Sequence, residues 1–298
     1  MRMAMVELLL TALFVGFGLL LPWVLALSRR LQVRDEVVLP GRIGWRPFVY
    51  SLLAYVLAFN LTFFIQEVFL VLPKALVPGL YPTLFHNNHR WAGVAPIADL
   101  FQGTGALAIL LSGLLFMVVA SKQKRPSWLV LWMAFHGLFQ SLPQFVIGAI
   151  SADQDVGNAY EYLGLGWAGE TLLALIALAA IPAAGAWLGV RFLATAWEAG
   201  QVNSRSARFG YLLRLAGMPA LAAIPVLILF RVPREAIEVL APPVLVAMLG
   251  YGWLQLAAFR SGSIVAKGKA PDRLAPMMVA VAGLLAFFQL VLRPGISF

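Results

Sequence analysis

The chain has no cysteine, which excludes disulfides, thiolate metal sites, cysteine nucleophiles and covalently attached c-type haem. It is also poor in charge. Only 12% of its 298 residues are Asp, Glu, Lys or Arg, about half the usual share of a soluble domain. With 61% apolar residues and a mean hydropathy of +0.87, the composition points to lipid as the solvent. Histidine is rarer still: His86, His89 and His136 are the three in the chain, so any imidazole chemistry must come from them. Bases outnumber acids 22 to 13, for a formal charge of +9. A nucleic-acid partner does not follow. The bases fall in short clusters between long apolar runs, and no stretch interleaves them with aromatics as a single-strand binder requires.

The apolar runs cover residues 3–28, 47–72, 101–121, 127–150, 165–193, 211–230, 236–259 and 274–292. A spanning helix needs roughly 20 apolar residues. In lipid the backbone must satisfy its own hydrogen bonds, and no strand-like alternation is visible, so these runs are read as helices. The fold expected is all-α: one polytopic transmembrane helical bundle of about eight spans over residues 1–298, with an ordered loop at 73–100. The first run is long for a cleaved signal peptide, and its bases (Arg29, Arg30, Arg34) follow it; it is read as a retained span.

Charge orients the spans. The loops 29–46, 122–126, 191–214 and 260–273 hold 16 of the 22 Lys and Arg. The remaining six are Arg2, Lys74, Arg90, Arg231, Arg234 and Arg293. The positive-inside rule then places both termini on the non-cytoplasmic side, in a multi-pass protein of the cell membrane, expected to be a bacterial inner membrane. Of the acids, Asp35, Glu36, Glu198 and Asp272 fall on the cytoplasmic side and the other nine lie outside or within spans. Pro22, Pro143, Pro182, Pro219, Pro225 and the pair Pro242–Pro243 lie inside spans; such helices are tolerated where neighbours re-satisfy the freed carbonyls. Gly185-x-x-x-Gly189 would allow close helix approach.

The unusual chemistry gathers in the first half. Glu67 is a carboxylate within a span, where burial costs about 2.5–3.5 kcal/mol unless it faces a partner or a cavity. Its structural reading is an ion pair with Lys74 or Arg90; its functional reading is a catalytic, ligating or proton-handling group. The loop 73–100 holds Pro73, Pro78, Pro82 and Pro96 around Leu84-Phe-His-Asn-Asn-His-Arg-Trp91. His86 and His89, three apart, suit one metal ion if the segment is helical or tightly turned. Glu67, Asp99, Asp153, Asp155 and Glu161 are the acids that could complete such a site, with a divalent metal such as zinc as the ion. The alternative is a pair of interfacial histidines bonded to loop carbonyls. In the fourth span His136, Gln140 and Gln144 recur every four residues with Ser141 beside them. That stripe suits either interhelical hydrogen bonding or the lining of a cofactor or quinone-like pocket. His136 has no second histidine within a span, which argues against a bis-histidine haem. In 151–158, Asp153 and Asp155 fit turn formation and capping better than a calcium loop.

Taken together, residues 63–170 run from a span with an acid near its end, through Leu84-Phe-His-Asn-Asn88, a helix start at Gly103-Thr-Gly105 and Leu131-Trp-Met-Ala-Phe-His-Gly137, to Asp153-Gln-Asp155-Val-Gly157. This order resembles the layout of site-2-protease-like membrane zinc metallopeptidases. The resemblance implies Glu67 as the glutamate of the HExxH motif. The histidines that motif needs are then replaced by Gln66 and Leu70, so it further implies a degenerate member without standard proteolysis, or a site rebuilt from Glu67, His86, His89 and Asp153 or Asp155. Three functional classes remain in view: a scaffold or accessory subunit contacting lipid and other membrane subunits, a metal-dependent hydrolase at the outer face, and a carrier for a small solute or lipid.

Overall fold

Eight helices long and apolar enough to cross a membrane organise the computed structural model, which describes residues 2–33, 43–233, 236–271 and 273–298. The chain is an integral, multi-pass membrane protein. The helices are α1 (Met5–Gln32), α2 (Trp45–Ala75), α3 (Ile97–Lys122), α4 (Trp128–Gly148), α6 (Gly166–Leu193), α7 (Arg205–Arg231), α8 (Val239–Phe259) and α9 (Ala275–Leu292). A short helix, α5 (Asp155–Tyr162), lies between α4 and α6. Arg34, Asp35, Glu36, Arg42, Arg234 and Asp272, which entered the charge reading above, lie outside the described residues.

Polarity decides which helix sits in the middle. Lipid rejects polar side chains, so the least apolar span is driven inward. In α4 the mean hydropathy of the spanning window is 1.2, the lowest of the eight, and 78% of that window is buried, the highest. It packs against α2, α3, α5, α6 and α8, while α1 and α9 lie at the periphery with 22% of their windows buried.

Close approach is made by glycine. Gly113 of α3 faces Gly137 of α4, and a Cβ on Gly137 would lie 2.4 Å from the Gly113 Cα. The Gly185-x-x-x-Gly189 pair of α6 sits against α8 in the same way: a Cβ at either position would come within 2.4 Å of the Cβ of Trp253 or of Ala257. With no apolar driving force between helices in lipid, this contact surface is what holds them together.

Proline frees the carbonyl four residues before it, because its nitrogen has no proton. Near three prolines a carbonyl of the preceding turn finds a side chain on another helix. Gly18, in the π-helical turn before Pro22, accepts from Trp253 Nε1 at 3.0 Å. Phe69, four residues before Pro73, accepts from Thr104 Oγ1 at 2.5 Å. Leu215, in the π-helical turn before Pro219, accepts from Ser51 Oγ at 2.6 Å, and Ser51 Oγ in turn accepts from Trp132 Nε1 at 3.1 Å. Ser51 is fully buried, so Ser51→Ala strands both a carbonyl and an indole N–H. We expect it to cost about 1–3 kcal/mol in unfolding experiments.

The connection between α2 and α3 departs from the all-helical expectation locally. It forms an antiparallel hairpin of β1 (Tyr81–Leu84) and β2 (His89–Ala92), with Leu84 opposite His89 and Tyr81 opposite Ala92. Strand β3 (Ile296–Ser297) adds to the free edge of β1, giving the order β2-β1-β3. The Phe85 N–H donates to the Asn88 carbonyl at 2.8 Å and closes the turn, a position where asparagine is favoured. Pro82 and Leu84 turn inward, so the sheet caps the bundle end opposite the 122–126 loop.

Candidate functional site

Beneath that cap, four buried polar side chains join in one line. Glu67 lies two turns from the end of α2, His89 opens β2, Gln102 lies in the second turn of α3, and Lys74 is in the last turn of α2. Glu67 Oε2 is 3.0 Å from His89 Nδ1. His89 Nε2 is 3.0 Å from Gln102 Oε1. Lys74 Nζ donates to the same Oε1 at 2.9 Å and to the Leu70 carbonyl at 2.9 Å.

The donors and acceptors can be assigned along this line. An ammonium only donates, so Lys74 fixes Gln102 with its oxygen toward the shared point. His89 Nε2 faces that oxygen and therefore donates to it. Nδ1 faces a carboxylate and donates as well. The geometry thus has His89 donating at both nitrogens, one of them to the Glu67 carboxylate. Trp91 closes the side: its ring stacks on His89 at 5.8 Å with an interplanar angle of 11°, and Lys74 Nζ lies 4.5 Å from its centroid. Such a contact favours the cation most where water is excluded.

Asp155, at the start of α5, faces the same region. Burial pushes its carboxyl above the ordinary aspartate range and the like charge of Glu67 adds to this, against the opposite pull of His89 and Lys74. Asp153 is exposed and takes no part.

The two loop histidines diverge. His86 sits in the hairpin turn, where its Nε2 is 3.2 Å from the Val232 carbonyl, and Asn87 Nδ2 donates to the Arg231 carbonyl. Both reach the end of α7, away from Glu67. An antiparallel turn separates positions that a helical turn would have superposed. Among the described residues, no group of three or more His, Asp or Glu is placed to hold a metal ion. The expected Glu67–Lys74 or Glu67–Arg90 pair is also replaced: Glu67 takes His89, and Lys74 is reached only through Gln102.

His136 lies elsewhere, in the middle of the bundle. It is fully buried in a box of Tyr55, Phe59, Trp132 and Phe135, with the Tyr55 ring 4.4 Å away edge to face. Gln140 Nε2 is 3.4 Å from both the Phe59 carbonyl and His136 Nδ1. Gln144 Nε2 donates to Gln66 Oε1 at 3.1 Å. The stripe therefore faces α2, as interhelical bonding requires.

Neither group lines a cavity described here. One cleft of about 230 Å³ opens at the hairpin turn beside His86, Arg90 and Arg293. One of about 220 Å³ lies near Glu7, Glu161 and Glu170. One of about 420 Å³ lies at the basic end of α6. In comparisons with known proteins, no family model, curated protein or solved structure matches this chain.

Gln102 is the participant that sequence reasoning missed. The signal available was a lone amide at the start of the apolar run of α3, which in a span calls for a partner as Glu67 does.

Proposed function

We propose that this chain is a non-catalytic integral membrane protein of the bacterial inner membrane, a scaffold or accessory subunit whose buried outer network holds the cap on the bundle. One observation carries the reading: in the line Glu67–His89–Gln102–Lys74 both His89 nitrogens and the Lys74 ammonium are taken by other groups of the chain. A general base or a metal ligand needs a free nitrogen or oxygen facing substrate. His89 has both nitrogens engaged, and none of the four lines a cavity described above.

The likeness to membrane zinc metallopeptidases fits the same proposal as a degenerate relationship. Where that family carries histidines, Gln66 bonds Gln144 and Leu70 is buried against α3. A metal-dependent hydrolase is the second reading, favoured by the Glu67–His89 hydrogen bond, because carboxylates orient metal-bound histidines in this way. It requires Gln102 to release Nε2.

The test is native mass spectrometry and elemental analysis of the untagged protein taken from its own membrane. The expected result is a second chain at fixed stoichiometry and no near-stoichiometric metal. Near-stoichiometric zinc, or a monodisperse monomer with no other chain, would overturn the proposal.

A further inference from the structure

We infer that the 420 Å³ cleft at the basic end of α6 is a binding site for the phosphate headgroup of an anionic phospholipid. Three cations converge there: Arg191 from the last turn of α6, and Arg260 and Lys267 from the connection between α8 and α9, with the Ser263 hydroxyl beside them. No acid lines the cleft. None of the three cations meets a carboxylate within ion-pair distance among the described residues. Uncompensated positive charge held close together is unfavourable unless an anion completes it.

The connection that supplies two of these cations is fastened, although it has no regular structure. The Lys267 N–H donates to the Ala194 carbonyl at 3.0 Å and the Gly268 N–H to the Ala196 carbonyl at 2.9 Å. Gly268 lies so close to the end of α6 that a Cβ there would fall 1.7 Å from the Thr195 oxygen. Arg208 holds the other end through the Arg260 carbonyl at 3.0 Å and the Gly262 carbonyl at 2.8 Å. The backbone positions of Arg260 and Lys267 are therefore set before any ligand arrives, which leaves only their exposed side chains to be ordered on binding.

The choice of a lipid over a free anion rests on the apolar side of the cleft. Trp187 lies one turn deeper in the span than Arg191, and its ring carries the Arg191 guanidinium at 5.2 Å. Val265 is 62% exposed. A tryptophan at this depth marks the headgroup level, and an exposed valine beside it gives acyl carbon a surface to follow. Basic pockets between spans recognise acidic headgroups in this way.

The full-length protein, delipidated in a neutral detergent, is titrated with short-chain phosphatidylglycerol, short-chain phosphatidylcholine and inorganic phosphate. Phosphatidylglycerol is expected to bind at least about tenfold more tightly than the other two, and Arg260→Gln with Lys267→Gln is expected to lower that affinity at least about tenfold, since each base near a headgroup contributes about 1 kcal/mol. Substituting Lys122 and Lys124 by Gln, two bases outside the cleft, should leave it unchanged. Equal losses from both sets would overturn the site in favour of diffuse charge, and phosphate binding as tightly as the lipid would overturn the lipid assignment. Should the double variant fail to fold, a photoreactive residue at Val265 in otherwise intact protein must capture phosphatidylglycerol from a nanodisc; absence of a lipid adduct would equally overturn the site.

Discussion

Glu67→Gln is expected to lower the unfolding temperature of the purified protein by on the order of 10 °C, a loss of about 3–5 kcal/mol. The size follows from what the carboxylate leaves behind. Its partner His89 is held with both nitrogens donating, and Lys74, fully buried, is joined to the same line through Gln102. Neutralising Glu67 takes the charged acceptor from His89 and a nearby carboxylate from buried Lys74, and removing one side of a buried pair costs far more than the pair contributes net. A double-mutant cycle with His89→Gln separates the pair from its surroundings. The double variant should lose clearly less than the two single losses added together, because the second change removes the donor that the first left without its carboxylate. Additive losses would mean the 3.0 Å contact is incidental. The same experiment bears on function. If the network holds the cap rather than performing chemistry, cellular activity of each variant should track the amount of folded protein, and a fully folded variant without activity would point to a catalytic group instead.

The eight helices were legible because span length and apolarity are local properties of a run. The central place of α4 was legible for a related reason: His136, Gln140 and Gln144 recur at helical spacing on a face that cannot meet lipid. Glu67 and His89 stood out individually, one by the cost of a carboxylate in a span and the other by the rarity of histidine. Their pairing did not. His86 and His89 were read at helical spacing, but the segment between Tyr81 and Ala92 is a hairpin, in which they diverge. The hairpin was hard to see because Pro82 reads as a turn residue, and because the strand that completes the sheet, Ile296–Ser297, lies more than 200 positions along the chain from Leu84. Partners that distant leave no periodic trace. Gln102 was missed for a different reason: one amide in an apolar helix has no pattern, and its role follows only from the two donors that meet its oxygen.

The second large effect is expected where the bundle has no side chain to yield. Gly137→Leu should prevent accumulation of folded protein in the membrane, and Gly137→Ala should be folded but destabilised by about 1–3 kcal/mol. A Cβ at this position would meet the Gly113 Cα at 2.4 Å, the Gly113 nitrogen at 2.6 Å and the Ile109 carbonyl oxygen at 2.8 Å. All three are backbone atoms of α3, so no rotamer change relieves the clash and the helices must separate. Separation is costly here because both helices are tied to α2: α3 through Gln102, which meets Lys74, and α4 through Gln144, which meets Gln66. The contrast with Gly283 on the peripheral helix α9 makes the test specific. A Cβ at Gly283 meets nothing within 4 Å, so Gly283→Leu should leave folded yield unchanged. Fluorescence-detected size-exclusion chromatography of the three variants reads both outcomes, and a Gly137→Leu protein of normal yield and elution would show that α3 and α4 do not cross at these glycines.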